Sequence, residues 1–207
     1  TLPHLVAVEV VFALVVMALL LGWSMVVDAP LLEAAIPTHP PNPAKAAWYF
    51  VGIQELLLHF YPTVGGVIIP GAVAAWLLWL PYAQASAAHH DTGVWFRSRR
   101  GRALARLSLV LGVLVTAGLI VLSEFGNLSD LFPGWHRLLS DGLLPLAVIL
   151  GGLWAYDRLL RRRGASPTER QLAAFTLLLA AFVTLTVVGN LCRGPDWKLV
   201  FPWEVFR

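Results

Sequence analysis

Charge is what this sequence has least of. Only 13% of its 207 residues are Asp, Glu, Lys or Arg, and 58% are hydrophobic, against about 25% and about 45–50% in an average soluble domain. That deficit excludes a disordered chain, a nucleic-acid binder and an ordinary cytosolic globule. Cysteine is almost missing as well: the lone Cys192 excludes an internal disulfide, a CxxC zinc site and a C-x-x-C-H haem attachment. Nor is there a strong excess of one sign, since 15 Lys+Arg against 12 Asp+Glu leave +3. The basic residues therefore carry meaning only where they cluster. What is present in quantity, nine Trp and a mean hydropathy of +0.72, describes an all-α integral membrane protein forming a single membrane domain over 1–207.

A bilayer core of about 30 Å needs roughly 20 mainly apolar residues per helix. Five stretches are expected to span: Leu5 to Val27, Val64 to Tyr82, Leu107 to Ser123, Leu143 to Tyr156 with its flanks, and Leu172 to Leu191. The fourth has 14 strictly apolar positions, about 21 Å of helix at about 1.5 Å per residue. It must recruit Leu138 to Asp141 or Asp157 to Leu160. The chain shows no internal repeat, and its opening lacks a basic region and a small-residue cleavage site, so the first span is expected to be a true span and not a cleaved signal.

Ten of the fifteen basic residues fall in two connections, Ala83 to Arg106 and Asp157 to Arg170, while the alternate connections are acidic. Cytoplasmic loops collect Lys and Arg. The pattern places the N-terminus inside and the C-terminus outside, and reads the arginines as membrane anchors. The segment Asp28 to Pro43 carries prolines at 30, 37, 40, 41 and 43, so an ordered, extended outer loop is expected there. Ala44 to Phe60, free of Pro and rich in polar residues, reads as a short helix lying along the outer interface, with Trp48 and Tyr49 at headgroup level.

Haem needs axial ligands facing a bundle interior, and none of the six His, at 4, 39, 59, 89, 90 and 136, falls inside a span. No haem is therefore expected on this chain, and His89-His90 reads as solvated loop. An ionisable group in or beside a span is a functional candidate. Glu9, with His4 before it, is one, as a possible inner quinone site or as a side chain that snorkels to the interface. Glu55 and His59 form an i, i+4 pair with Trp48 and Gly52 on the same stripe. A carboxylate beside an imidazole in a half-apolar pocket can accept a proton, and the alternative is a surface pair facing water.

The run Pro40-Pro41-Asn42-Pro43-Ala44-Lys45-Ala46-Ala47-Trp48-Tyr49-Phe50-Val51-Gly52-Ile53-Gln54-Glu55-Leu56-Leu57 closely resembles the loop and helix after the fifth helix of bacterial cytochrome b. That is the C-terminal half, or subunit IV-like chain, of quinol:cytochrome c oxidoreductases of the bc1/b6f type. Asp28-Ala29-Pro30-Leu31, Gly65 to Gly71, Arg193-Gly194-Pro195-Asp196-Trp197 and Phe201 to Glu204 are similar to the same family, while the central spans match mainly in hydropathy. The resemblance implies a wall of the outer quinol-oxidation pocket in a bacterial inner membrane. It further implies a haem-bearing cytochrome b N-terminal subunit, a Rieske iron-sulfur protein and a cytochrome c as partners. Haem b and the 2Fe-2S cluster would lie on those chains, with quinone at the subunit interface.

Two departures stand out. The family tetrad Pro-Glu-Trp-Tyr maps onto Ala46, Ala47, Trp48 and Tyr49, so the acid is absent at Ala47, and an alanine cannot accept a proton. Glu55 and His59 are the nearest substitutes, and Trp48, Tyr49, Glu55 and His59 form the expected pocket. Five spans also differ from the three or four of the family forms. The competing reading is a structural membrane anchor of a redox complex with a degenerate quinol site. A transporter is disfavoured by the scarcity of mid-membrane charges.

Overall fold

The computed structural model describes residues 2–28, 42–83, 99–126 and 134–205. Most of the expected proline-rich loop, with His39, and the doublet His89-His90 lie outside these. The chain divides into two units, Thr1–Pro40 and Pro41–Arg207. The described part of the first is a single helix, α1 (Leu2–Val26). It is apolar all round and shows no buried side chain of its own, the signature of a helix made for lipid or a partner chain. His4 and Glu9 both lie exposed on α1.

The second unit contains α2 (Val51–His59), α3 (Ile69–Ala83), α4 (Arg99–Glu124), α5 (Leu144–Arg162), α6 (Pro167–Leu191) and the short α7 (Pro202–Val205). No strand occurs among the described residues; one isolated bridge pairs Arg193 with Leu199. The long contact is between α4 and α6, and α2 packs on α6. Close approach of α4 to α6 depends on Gly112, where a Cβ would stand 2.7 Å from the Leu177 carbonyl oxygen and 2.8 Å from Ala180 Cβ. Hydroxyls inside these helices are satisfied locally, Thr176 donating to Leu172 O and Thr184 to Ala180 O.

Both α3 and α5 begin with a π-helical turn, Val64–Ile68 and Leu139–Leu143. The two turns meet: Tyr61 N–H donates to Asp141 O at 2.8 Å, and a Cβ on Gly142 would lie 3.1 Å from Val64 Cγ2. Such turns insert a residue into the helical ladder and re-aim the chain. Here they set the starts of two helices side by side, next to the end of α2.

Among the described residues, four helices are long and apolar enough to cross a membrane: Pro3–Val26, Arg99–Glu124, Leu139–Arg162 and Pro167–Leu191. The remaining expected span is shorter, Val64–Leu80. The helix over the fourth apolar stretch, Leu139–Arg162, takes in residues on both of its flanks. Three boundaries differ from expectation. Arg99 to Arg106 form the first turns of α4, and Asp157 to Arg162 the last turns of α5, so much of the arginine-rich sequence is helix and not loop. Arginine is a good helix former, and its stem can lie along a helix while its head seeks water. The start of α6 carries a capping box, Ser166 accepting from Glu169 N–H while Glu169 accepts from Ser166 N–H, which moves that helix five residues upstream of the expected Leu172.

Candidate functional site

The expected helix from Ala44 to Phe60 forms only over Val51–His59. Residues 44–47 are irregular and 48–50 make a turn. The reason is a competing set of hydrogen bonds. Ala46 N–H donates to Gln54 Oε1 at 2.7 Å, and Gln54 Nε2 donates to Ala44 O at 2.9 Å. The Gln54 amide thus reaches back to hold the incoming strand of chain off the helix axis. Trp48 and Tyr49 then fall on the turn, 71% and 54% exposed, with their rings edge to face at 5.6 Å between centroids. Trp48 therefore does not share the buried stripe expected of Gly52 and Glu55.

The end of α6 meets this segment along its whole length. Lys45 Nζ donates to Asn190 O at 2.9 Å. Asn42 and Asp196 exchange two hydrogen bonds, Asn42 Nδ2 to Asp196 Oδ1 at 2.7 Å and Asp196 N–H to Asn42 Oδ1 at 2.9 Å. Gly189 lies under Val51, where a Cβ would collide with Val51 Cγ1. Asp196 and Trp197 both adopt positive φ, 56° and 58°, a left-handed conformation costly for residues with a Cβ. The Asn42 pair and the turn's own bonds, Gly194 N–H to Lys198 O and Val200 N–H to Cys192 O, hold it in place.

At the centre lies a charge network. Glu55 is 0% exposed and Arg193 2%. Arg193 Nη2 donates to Glu55 Oε1 at 2.6 Å and its Nε lies 3.1 Å from both carboxylate oxygens. Arg193 Nη1 donates to Glu124 Oε1 at 2.5 Å and to Trp197 O at 2.7 Å. His59 Nε2 lies 3.2 Å from Glu55 Oε1, and His59 Nδ1 lies 2.9 Å from Ser123 Oγ, which also donates to Ile120 O at 2.7 Å. The alternative of a water-facing Glu55–His59 pair is corrected: the carboxylate is buried, because the Arg193 guanidinium from beyond α6 covers it. An open cleft lined by Leu58, His59, Ser123, Glu124, Arg193 and Trp197 runs beside the network.

Burial alone would push the Glu55 carboxyl up. The hydrogen bonds from His59 and Arg193 and their charge outweigh it, and the group is held below the ordinary carboxylate range. The Arg193 guanidinium, although burial disfavours its charge, is raised by its bonds to Glu55 and Glu124. Burial also raises the Cys192 thiol, with the Glu55 charge adding to it, which makes this cysteine a poor nucleophile. The arrangement therefore contains a fixed anion, a fixed cation and one imidazole able to change its proton partners.

Of the residues singled out from the sequence, Glu55 and His59 enter the network and Trp48 and Tyr49 lie exposed on the turn before α2; Arg193, Glu124 and Ser123, which also enter it, were not singled out. A usable signal existed: in so charge-poor a chain, an arginine one residue beyond Cys192 at a span end needs a buried acid if it is itself buried. The fold and site define the class: an all-α chain with several membrane-length helices and a buried Glu55–Arg193 pair tied to Glu124 at the surface. The chain matches no family model, no curated protein and no solved structure.

Proposed function

We propose that this chain is a membrane subunit of a cytochrome b-type quinol:cytochrome c oxidoreductase and walls its outer quinol-oxidation pocket. One observation carries the reading. The described parts of the two segments that resemble the family, 42–57 and 193–197, come together in one joint through Asn42–Asp196 and Glu55–Arg193, with Lys45–Asn190 beside them. That joint presents the aromatic pair Trp48 and Tyr49 on its outside. Exposed aromatics offer a quinol ring flat apolar contact, and the His59 cleft offers hydrogen bonding.

In this reading the chain spans a bacterial inner membrane five times, α3 with its π turn supplying the fifth crossing, with the joint on the outer side and the arginine-rich helix ends inside. A haem-bearing cytochrome b subunit covers the exposed apolar helices, and a Rieske protein and a cytochrome c approach the joint. Haem b and the iron-sulfur cluster on those partners would supply one-electron acceptance. The residues of this chain bind and orient the quinol and receive its proton at the Glu55–His59 couple in place of the acid missing at Ala47. His4 and Glu9 on α1 would stand at an inner quinone site.

The saturation of Glu55 by Arg193 favours a second reading, a structural anchor whose polar joint serves assembly alone. Copurification separates both from unrelated functions: the native complex should carry b- and c-type haem bands in a reduced-minus-oxidised spectrum and oxidise added quinol. A complex with the haems but without quinol oxidation supports the anchor, and one without haem ends both.

A further inference from the structure

We propose that His59, and not Glu55, is the proton acceptor of the cleft, with Glu55 and Arg193 as positioning residues and the Ser123 hydroxyl as a gate at His59 Nδ1. The proposal rests on the quinol reading for the identity of the proton donor. Its warrant is the arithmetic of hydrogens in the network. Glu55 is already neutralised by Arg193, which spends both Nε and Nη2 on it, so a further proton on that carboxylate would have to break the buried pair. His59 Nε2 faces Glu55 Oε1, an acceptor-only anion, and must therefore carry its hydrogen. In the neutral ring that leaves Nδ1 with a lone pair, the basic position of the imidazole.

Ser123 has one hydroxyl hydrogen and two acceptors in reach, His59 Nδ1 at 2.9 Å and Ile120 O at 2.7 Å. It can donate to Nδ1 while the ring is neutral. When Nδ1 takes a proton, the hydroxyl turns to Ile120 O and accepts from the new N–H. The His59 side chain is only 14% exposed and lines the cleft. The charged and hydroxyl groups around it are Glu55 on its own helix, Ser123 and Glu124 at the end of α4, and Arg193 beyond α6. A carboxylate behind Nε2–H stabilises the imidazolium as it forms, the division of labour seen in His–carboxylate pairs generally. For a hydroquinol-type ligand whose hydroxyl reaches Ser123 Oγ in the cleft, the ligand O–H bond breaks as its proton passes to Oγ, the Ser123 hydrogen moves to His59 Nδ1 and forms the N–H bond, and the electron leaves to a one-electron iron acceptor on a partner chain.

The test uses the native complex with a soluble quinol at neutral pH. His59→Gln, whose amide still donates to Glu55, should lower kcat by about 100-fold or more and leave KM nearly unchanged. Native kcat in the variant would overturn the relay alone; a native complex without quinol oxidation would overturn the functional reading with it. A second measurement needs no variant: diethyl pyrocarbonate should modify His59 in the unaltered complex, and a quinone analogue should protect it. Equal modification with and without the analogue would overturn the proposal.

Discussion

The two ends of the second unit are built from the same helices but treat charge in opposite ways. At one end, the start of α4, the end of α5 and the start of α6 carry arginines that stay at the surface. Arg161 and Arg170 pair with an exposed Asp157 at 2.6 and 2.8 Å, Arg158 lies over the Trp154 ring at 5.2 Å, and the small core beneath is Tyr156, Leu160 and Ala173. At the other end one arginine, Arg193, is buried with Glu55 and tied to Glu124 and to the Trp197 carbonyl. Surface pairs of the first kind are worth little, while breaking a buried pair leaves an uncompensated charge in low dielectric. The abundant charges thus stay near the surface, and the rare buried ones tie separate elements together.

The contrast is broken most severely by Arg193→Leu, which strands Glu55. It should cost about 3–5 kcal/mol and lower the thermal midpoint of the purified complex sharply, whereas Glu55→Leu with Arg193→Leu should recover most of the loss. Gly189→Ala forces a methyl into Val51 and should cost about 1–3 kcal/mol, read in the same melt, by prising α2 from α6. Acid should act on the joint as well. Glu55 binds fewer protons folded than unfolded, because its folded carboxyl is held low. Its contribution is full above the ordinary glutamate value of about 4.3 and is lost as pH falls through the lower folded value. Melts taken from neutral pH downward should show the midpoint falling below about pH 4.3, with the drop smaller in the double Leu variant.

At the arginine-rich end the effects shrink. Ser108→Ala removes the buried hydroxyl that meets Tyr156 Oη at 2.6 Å and should cost about 1 kcal/mol. Asp157→Asn, at an exposed pair, should change stability by less than about 1 kcal/mol. A reversal of this order, with Asp157 outweighing Arg193, would remove the distinction between the two ends.

The helical class and the places of the long apolar helices were legible because hydropathy over some 20 residues is a strong signal. The helix at Ala44 was misread because a glutamine ten residues away, Gln54, competes for Ala44 and Ala46, and such side-chain capture leaves no periodic trace. The start of α6 was readable in Ser166-Pro167-Thr168-Glu169, a capping box obscured by its place in an arginine-rich stretch. Glu55 and His59 were legible as an i, i+4 pair. Their partners were not, since Glu124 and Arg193 lie 69 and 138 residues from their respective contacts, and only the packing of α2 and α4 on α6 brings those positions together. The family-like motifs at the two ends were each visible, but nothing in either segment announced that they would bond to one another.

The most direct test is photolabelling of the native membrane complex with an azido-quinone, followed by mapping of the labelled peptides. A working quinol wall predicts label on the peptide bearing Trp48 and Tyr49, displaced by unlabelled quinone. Label confined to other chains, with this peptide untouched, would contradict it.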